Sequence, residues 1–353
     1  MGGRGFAGGG LSSPVVFLLG CFRSTLIRVA AVTKYGLWRC EHVEVPVPSA
    51  KKNEVLLKLQ AATVNPLLPP NEKLAEREKK EPCISTAPFP AVTDVAGVIV
   101  DVGPGVNGLT AGDQVVAKLN SLNGGGLAEY AVAPANLTVK RPAKVSAAEG
   151  AGLPIAAGTA LQALRSIGAK FDGTGKPLNV LITAASGGVG LYAVQLAKLA
   201  NLHVTATCGA RNMDLVKSLG ADEVMDYRTP EGATLQSPSG RKYDGVVHCT
   251  VGVSWSSFQL LLSDAGRVID VTPNLSAILT YVLHRVTFSK KRLVPQLLLS
   301  LNKADLEFLV GLLEEGKLKT VIDSRFPLSD AGKARQSSID GHATGKIVVE
   351  MES

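Results

Sequence analysis

Two different spacings of apolar residues divide the chain. Up to about residue 140, short apolar runs are separated by Gly and Pro, which is typical of strands joined by turns. Strands are predicted at 43–47, 54–60, 92–102, 114–119 and 127–132. Many short strands with such turns predict an all-β lobe, here a distorted barrel. The segment 67–90 is irregular, and its charged run at 72–81 predicts a short exposed helix.

From about residue 147, segments with helical spacing alternate with short apolar strands. Helices are predicted at 147–152, 158–167, 191–200, 212–219, 255–262 and 306–315. Strands are predicted at 180–183, 203–208, 223–225, 245–248 and 267–271, with closing strands at 320–322 and 346–350. Strands that alternate with helices predict a doubly wound parallel sheet, so the chain is expected to be an α/β protein with two lobes.

A glycine turn follows the first strand of the predicted parallel sheet. Ala185, Gly187 and Gly190 occupy the three glycine positions of a dinucleotide fingerprint, with alanine in the first. Residues without bulk let the backbone approach a pyrophosphate, and the helix start offers N–H groups and the positive end of its dipole. The residues predicted to hold the cofactor are Ser186, Gly187, Gly188, Val189 and Gly190. The alternative is a glycine turn without a ligand.

The residues at the end of the second strand of the predicted parallel sheet indicate whether the cofactor is NAD or NADP. NAD-specific folds carry an acid there, which binds the ribose hydroxyls. Here Cys208 and Gly209 end the strand, no acid occurs before Asp214, and Arg211 stands where a 2′-phosphate would lie. Because arginine suits phosphate by charge and geometry, the sequence predicts NADPH. The alternative is a solvated Arg211 at a helix start.

Composition narrows the function classes. Hydrophobic residues make up 46% of the 353 residues, which is typical of a globular protein. The net charge is +7, but the basic residues are dispersed, so no nucleic-acid partner is expected. The short cluster of Lys290, Lys291 and Arg292 is either a solvated face or a peripheral contact with anionic lipid. No later segment is predicted to span a membrane.

Neither cysteine nor histidine spacing predicts a metal site. The five cysteines are scattered without a C-x-x-C pair, which indicates a reducing compartment: Cys21, Cys40, Cys83, Cys208 and Cys249. No two histidines are spaced i, i+4, and no catalytic zinc is expected. Residues 1–28 are glycine-rich, and no acid precedes Glu41. They predict an organelle-targeting segment, with an extension that has no such role as the alternative.

Six segments together resemble one known superfamily. They read VTDVAG at 92–97, AGDQV at 111–115, NGGGLAEY at 123–130, AASGGVG at 184–190, KSLGAD at 217–222 and DGHATGK at 340–346. The chain resembles zinc-independent quinone oxidoreductases of the medium-chain dehydrogenase/reductase superfamily, and among them the plant plastid-envelope quinone oxidoreductase homologues and enone reductases.

That resemblance implies a GroES-like lobe with a distorted β-barrel, formed by 29–153 and 301–353. It implies a doubly wound parallel-sheet (Rossmann) lobe at 154–300, with 1–28 as an extension. The implied activity is hydride transfer from NADPH to quinones or α,β-unsaturated carbonyl compounds without zinc. A monomer or homodimer in the chloroplast is expected, with the cytoplasm as the alternative location.

Further site residues are predicted at the lobe junction and beside the cofactor. Asn65 matches the family asparagine that positions nicotinamide or substrate, with an Asx turn before Pro66 as the alternative. Tyr227 resembles the family tyrosine near the adenosine phosphate. Thr159 opens a predicted helix and is expected to reach the nicotinamide carboxamide or to act as an N-cap. Cys249 follows a strand and is expected to contact the cofactor through its backbone. The C-terminal motif adds Asp340 and Gly341.

One segment departs from the family pattern. Relatives carry Asp-Trp-Lys two residues beyond the Asn-Pro that matches 65–66, whereas this chain has Leu68, Pro69 and Pro70. The family lysine is therefore missing, and low turnover is expected. Three nearby lysines can replace it only if the loop folds back: Lys73, Lys79 and Lys80. A catalytically weak NADPH-binding protein with a structural or interaction role is the second function compatible with the sequence.

Overall fold

A computed structural model describes residues 26–32, 40–65, 92–121, 124–297 and 299–351. The predicted helix at 72–81 and the departure at 68–70 lie outside these residues, as does most of the N-terminal extension. Strand β1 begins at Leu26, so the last three residues of the predicted extension are in a strand. The predicted lobe boundaries stay a prediction.

The β-rich lobe is built on a seven-stranded sheet with the order β14-β15-β3-β4-β5-β7, and β6 also pairs with β3. Its strands from the first part of the chain are β3 (Glu54–Val64), β4 (Asp94–Val102), β5 (Gln114–Lys118), β6 (Tyr130–Pro134) and β7 (Thr138–Lys140). A separate antiparallel pair joins β1 (Leu26–Val32) to β2 (Cys40–Pro46). The five strands predicted in this part of the chain are confirmed, although β6 starts three residues later than expected, and β1 and β7 were missed.

Strand β3 shows why this sheet has two different halves. In its first half Leu57 and Leu59 are buried while Lys58 is exposed, as expected for a strand with one covered face. In its second half every side chain from Ala61 to Val64 is buried. Ala61 belongs to the core beneath the helices, whereas Ala62 faces the barrel core. The sheet therefore passes from a half-solvated barrel into the junction between the lobes.

The second lobe is a six-stranded parallel sheet with the order β10-β9-β8-β11-β12-β13. Its strands are β8 (Asn179–Ile182), β9 (His203–Cys208), β10 (Glu223–Asp226), β11 (Tyr243–His248), β12 (Leu262–Asp270) and β13 (Arg292–Pro295). The chain begins this sheet with β8 near its middle and adds β9 and β10 on one side of it. It then returns to the other side of β8 to form β11. The strand order therefore reverses at β8, where open parallel sheets bind ligands at the carboxyl ends of their strands. This arrangement confirms the predicted Rossmann-type lobe and the α/β class.

The described residues contain nine α-helices, which connect or cover the sheets. They are α1 (Ala147–Ala151), α2 (Gly158–Ile167), α3 (Gly188–Leu199), α4 (Met213–Ser218), α5 (Pro230–Ala233), α6 (Trp255–Leu261), α7 (Leu275–Val286), α8 (Lys303–Glu314) and α9 (Ala331–Ile339). The closing strands are β14 (Ile322–Pro327) and β15 (Lys346–Glu350). Helices α5, α7 and α9 and strand β13 were not predicted, and the closing strand expected at 320–322 begins only at Ile322. Strand β12 is longer than predicted because its first half has the turn-like sequence Ser-Asp-Ala-Gly, which hides the strand.

A helical run joins the two lobes. Ser146 and Glu149 form a capping box that starts α1, a π-helical segment covers Leu153–Ala157, and α2 continues from there. The Thr63 hydroxyl donates to the Ala151 carbonyl at 2.9 Å, which ties the run to β3. Small buried side chains at Ala156, Ala157 and Ala160 let this run pack closely, so the junction is rigidly filled.

Candidate functional site

The glycine turn after β8 leaves the start of α3 open. Gly187 is the N-cap of α3, and no side chain caps it, so the first N–H groups of the helix are not covered by a cap. A Cβ at Gly190 would lie 2.4 Å from the Ala184 carbonyl oxygen and 2.6 Å from the Ala185 Cα, so only glycine fits there. The turn therefore has the shape that a pyrophosphate requires, with bare backbone and a helix N-terminus.

The segment before β15 lies directly on this turn. The Gly345 N–H donates to the Ser186 carbonyl at 3.0 Å, and Gly187 forms a bridge with Gly345. A Cβ at Gly188 would lie 3.3 Å from Cδ of Lys346. The aliphatic stem of Lys346 therefore passes over Gly188, which brings the end of the β-rich lobe onto the predicted cofactor turn.

Asn65 lies at the end of this lysine, between two buried charges. The Lys346 ammonium donates to Asn65 Oδ1 at 2.5 Å, and Asn65 Nδ2 donates to Asp94 Oδ2 at 3.0 Å. Asp94 Oδ2 also accepts from the Ile155 N–H at 3.1 Å. Asp94 is fully buried and Lys346 is 3% exposed. The amide of Asn65 is thereby held in one orientation, with one N–H and one oxygen lone pair left over.

Burial acts on both charges of this group. It raises the pKa of Asp94 above its ordinary value, while Lys346, the Asn65 amide and the Ile155 N–H act in the opposite direction. Burial also lowers the pKa of Lys346, and Asp94 opposes that shift. Each group therefore stabilises the charge of the other against desolvation, and removal of one leaves the other unpaired in the interior.

The predicted adenosine end of the site carries two arginines. The Tyr227 N–H donates to the Cys208 carbonyl at 3.2 Å, and the Tyr227 ring lies beside Gly209. The Arg228 guanidinium is 5.5 Å from the centre of that ring. Arg211 is exposed and donates to the His342 carbonyl. These side chains form a basic rim at the carboxyl end of β9.

Asp226, at the end of β10, pairs with Cys208 in the register of β9 and β10. Its carboxylate accepts from the Arg228 N–H at 3.0 Å. Burial, with a smaller contribution from Asp226, raises the pKa of the Cys208 thiol to about 11, so Cys208 stays a neutral thiol at neutral pH. Cys208 therefore contributes backbone and packing rather than a thiolate.

The end of β11 adds a neutral histidine to the floor of the site. Thr183 Oγ1 accepts from the Cys249 N–H at 3.0 Å and also hydrogen-bonds Nδ1 of His248 at 2.9 Å. Burial lowers the pKa of His248 to about 4 and raises that of the Cys249 thiol to about 12, so both are uncharged at neutral pH.

Three other predicted residues lie in the first turn of α2 and at the end of α9. Thr159 is in the first turn of α2, and its carbonyl accepts from Gln296 Nε2 at 3.2 Å. The N-cap of α2 is Ala157, so the alternative interpretation of Thr159 as an N-cap is wrong; the helical run simply continues from the π-helical segment. Asp340 ends α9, and Gly341 follows it with φ of 72°. Both are exposed and lead into the segment that contacts Arg211 and the glycine turn.

Comparison with known proteins identifies the family. Residues 51–143 match the family described as "Alcohol dehydrogenase GroES-like domain", and 219–349 match "Zinc-binding dehydrogenase". The "Chloroplast envelope quinone oxidoreductase homolog" of Arabidopsis thaliana is 61% identical over 314 residues, covering 88% of this chain and 93% of the relative. The chain belongs to the medium-chain dehydrogenase/reductase superfamily.

Two further members of the superfamily extend the comparison. The "NADPH-dependent alkenal/one oxidoreductase, chloroplastic" of Arabidopsis thaliana is 32% identical over 317 residues, covering 86% of this chain and 74% of the relative. The solved quinone oxidoreductase from Coxiella burnetii has a TM-score of 0.77 and 28% identity, and covers 92% of this chain and 98% of that one. The chain is thus a medium-chain oxidoreductase, a class that uses NAD or NADP.

The described residues do not offer a set of ligands for the zinc of the superfamily. Within the described ranges, no three His, Cys, Asp or Glu side chains gather where they could hold a metal ion. In the segment where zinc-dependent members carry Gly-His-Glu, this chain has Asp94, whose carboxylate is occupied by Asn65 and Ile155. His248 is likewise engaged through Nδ1 with Thr183.

Sequence reasoning missed three residues of this medium-chain dehydrogenase site. Asp94 and Lys346 stand in two of the motifs shared with the superfamily but were not predicted as site residues, and Arg228 was not singled out. A signal existed for Asp94, because an acid directly before the apolar run of β4 must find a partner when it is buried. The partner itself is 252 residues away in the chain, so no local pattern indicated Lys346.

Proposed function

We propose that the protein is an NADPH-dependent reductase of quinones or α,β-unsaturated carbonyl compounds that works without zinc. The observation that carries the proposal is the position of Lys346, whose stem crosses the glycine turn at Gly188 and whose ammonium contacts Asn65. One side chain thus connects the predicted pyrophosphate turn to the residue expected at the nicotinamide. The names of the quinone and alkenal/one oxidoreductase relatives support the substrate class.

The preference for NADPH is supported by the basic rim at the end of β9. The Arg228 guanidinium lies 5.5 Å from the centre of the Tyr227 ring, and Arg211 follows the end of β9, where NAD-specific folds carry an acid. The Asp226 carboxylate already accepts from the Arg228 N–H. Two guanidinium groups can hold a 2′-phosphate through charge-assisted hydrogen bonds.

Substrates with a conjugated carbonyl suit the residues of the site. A bound nicotinamide supplies a hydride, and the carbon that receives it must already be electrophilic, because no described group is placed as a Lewis acid. Asn65 can orient the nicotinamide or the substrate through its remaining N–H and lone pair. Lys346 places a positive charge beside Asn65, where it can stabilise negative charge that develops on a carbonyl oxygen.

Lys346 can take over the electrostatic part of the missing family lysine. The loop with Leu68, Pro69 and Pro70 lies outside the described residues, so its own lysines carry no argument. Lys346 is a buried cation, and its hydrogen bond to Asn65 fixes the position of its ammonium group. Turnover is therefore expected to depend on Lys346 more than on any lysine of the loop.

A chloroplast location is proposed from the names of the relatives, two of which are chloroplast proteins. The glycine-rich, acid-free start of the chain is compatible with import. The expected assembly is a monomer or a homodimer. Expression of the full chain with a C-terminal fluorescent protein in plant cells tests the location, and a cytoplasmic signal would contradict it.

The activity is tested by NADPH oxidation with a quinone, an enone and a saturated ketone, each with and without a strong chelator. We expect turnover of the first two substrates, unchanged by the chelator, and none of the saturated ketone. Chelator-sensitive reduction of the saturated ketone would indicate a zinc alcohol dehydrogenase instead. Tight NADPH binding without turnover of any substrate would favour a nucleotide-binding protein with little catalysis.

A further inference from the structure

A second lysine lies at the same edge of the β-rich sheet as Asn65. Lys118 ends β5, directly opposite Asp94 in the antiparallel register of β4 and β5. Asp94 in turn is opposite Thr63, two residues before Asn65. Directly opposed side chains extend from the same face of a sheet, so Lys118 lies on the face that Asp94 turns toward Ile155 and the helical run between the lobes.

The Lys118 side chain is buried with little to compensate its charge. It is 9% exposed. Its ammonium donates to Ser121 Oγ at 2.9 Å, and this neutral hydroxyl is the acceptor that it has within the described ranges. The Asp94 carboxylate acts on it by charge but is already bonded to Asn65 and Ile155. Because lysine is almost never buried without a paired charge, Lys118 is suited to an anion that a ligand brings.

The buried charges at this sheet edge do not balance. Asp94 carries one negative charge, whereas Lys118 and Lys346 each carry a positive charge, and none of the three is more than 9% exposed. Lys346 opposes the rise in the pKa of Asp94 more strongly than Lys118 does. The ion pair is therefore Asp94 with Lys346, and the charge of Lys118 is left over. A buried cation in excess beside a cleft attracts an anionic oxygen.

The neighbours of β5 within the described residues do not supply that anion. The elements packed against β5 are β4, β6, β7, α1 and the π-helical segment, which has no titratable side chain. Glu149 on α1 is held by Ser146, and Lys140 on β7 pairs with Asp113 before the start of β5. The other titratable side chains on these elements are Asp101 and Tyr130. Burial lowers the pKa of Lys118, and among the charged groups described around it Asp94 alone opposes that shift.

Lys118 is better suited than Lys346 to give up a proton. Loss of the proton from Lys346 would leave Asp94 unpaired in the interior, which is costly. Loss of the proton from Lys118 leaves the pair of Asp94 and Lys346 intact and removes a charge that burial disfavours. Buried lysines change their pKa readily and serve as acids and bases in catalysis for that reason.

We propose that Lys118 is the proton donor of the reduction, an inference that rests on the proposed function. The conjugated carbon of the substrate accepts a hydride with its electron pair, and the conjugated π electrons shift so that negative charge develops on the carbonyl oxygen. An N–H bond of the Lys118 ammonium then breaks and an O–H bond forms, which leaves a neutral amine and an enol or a hydroquinone. Water returns a proton to the amine, and an enol becomes the saturated carbonyl compound in solution. The substrate thus gains one hydride and one proton per NADPH.

Lys118→Met tests this role through kcat and its pH dependence. With a neutral enone at neutral pH, kcat should decrease about 100-fold, while KM and the dissociation constant of NADPH stay nearly unchanged. In the unchanged protein, kcat should decrease as the pH rises through the lowered pKa of Lys118, because the acid must be protonated. The Lys118→Met profile should be flat in that range. Lys58→Met, which removes an exposed lysine from β3 of the same sheet, is the matched control and should change neither kcat nor its profile.

A second variant and a second substrate separate proton transfer from folding. Ser121→Ala removes the hydroxyl that orients the Lys118 ammonium, so kcat should decrease several-fold. Thermal unfolding of this variant should be unchanged, because Ser121 is exposed. A chlorinated quinone is reduced to a stable oxyanion that needs a proton donor less than an enolate does. Lys118→Met should therefore slow its reduction much less than that of the enone, and equal losses with both substrates would overturn the proposal.

Binding of 4-nitrophenol gives a readout that requires no turnover. Its phenolate resembles the oxyanion formed on the substrate and absorbs visible light, which the phenol does not. In the presence of NADP⁺ the unchanged protein should bind the phenolate, and Lys118→Met, but not Lys58→Met, should weaken that binding at least about tenfold.

The two readouts distinguish failure of this inference from failure of the proposed function. Normal enone turnover and normal phenolate binding by the Lys118→Met protein would overturn the role of Lys118 and leave the reductase function intact. Phenolate binding that depends on Lys118, without turnover of any substrate by the unchanged protein, would contradict the reductase function and support Lys118 as the partner of an anionic oxygen.

Discussion

The Lys346 ammonium donates a hydrogen bond to Asn65 Oδ1 across 281 residues of chain. Lys346 begins β15, the last strand, and Asn65 follows β3 near the beginning of the β-rich lobe. The contact is made beneath the glycine turn of the other lobe, where the stem of Lys346 passes Gly188. The residue expected at the nicotinamide and the turn expected at the pyrophosphate are thus held by one side chain.

Lys346→Met should destabilise the fold and lower activity. Breaking a buried charge pair leaves Asp94 unpaired and costs about 3–5 kcal/mol. The free energy of unfolding, measured in urea, should decrease accordingly. The double variant with Asp94→Asn should recover much of the stability, since neither charge of the Asp94–Lys346 pair remains, although Lys118 then loses its interaction with Asp94. Its kcat should still be at least about tenfold below that of the unchanged protein, because the cation beside Asn65 is lost. Full activity of the stable double variant would contradict the role of Lys346.

NADPH should bind at least about tenfold more tightly than NADH, and Arg211→Ala should remove most of that difference. The reason is the loss of one guanidinium from the basic rim beside Tyr227. Calorimetric dissociation constants for both cofactors provide the measurement. Arg241→Ala, an exposed arginine in the loop before β11, serves as the control and should change neither constant. Equal constants for the two cofactors in the unchanged protein would refute NADPH specificity.

Gly188→Val should abolish NADPH binding and leave the fold largely intact. A Cβ there would already lie 3.3 Å from Cδ of Lys346, so the branched side chain fills the space above the turn and blocks the approach of the pyrophosphate to the backbone. Gly311→Val in α8, where a Cβ would meet nothing within 4 Å, is the matched control for the change of residue type. Unchanged affinity in the Gly188 variant would place the phosphates elsewhere.

His248 should remain neutral down to about pH 4, because burial lowers its pKa to about 4. The unfolded chain protonates this histidine near pH 6.5. Since the unfolded state then binds more protons, the His248 contribution to stability should be lost as the pH falls from about 6.5 to about 4. Nitrogen-15 NMR of the imidazole should show the neutral ring throughout that range. Titration of His248 near pH 6.5 would contradict the burial of its side chain.

Local sequence was sufficient for the Rossmann-type lobe. The apolar strand β8, the glycine turn and the unbroken α3 follow one another within about twenty residues, so their spacing alone indicated the parallel sheet and the cofactor turn. The prediction placed the start of α3 three residues too late, at 191 rather than Gly188. Glycine is an unusual helix opener, but here a bare backbone is needed above the turn and no side chain fits at Gly190.

The solvent-facing elements were harder to predict. Helix α7 carries an apolar stripe, but that stripe faces outward, and its buried side includes only Ala277 and His284 as fully covered residues. A rule that places apolar residues inside does not identify such a helix. None of the described helices is long and apolar enough to span a membrane. Strand β13 is four residues long and begins with Arg292, the last residue of the basic cluster, so its composition gave no strand signal.

The sequence by itself determined the two lobes, the α/β class, the glycine turn and the absence of an acid at the end of β9, since each depends on residues close together in the chain. Only the tertiary structure decided what completes the site. Asp94, Asn65 and Lys346 lie on three strand ends and meet because β3 pairs with both β4 and β15. Two charges that water would hold apart are held together by burial, and burial is a property of the whole fold rather than of any segment.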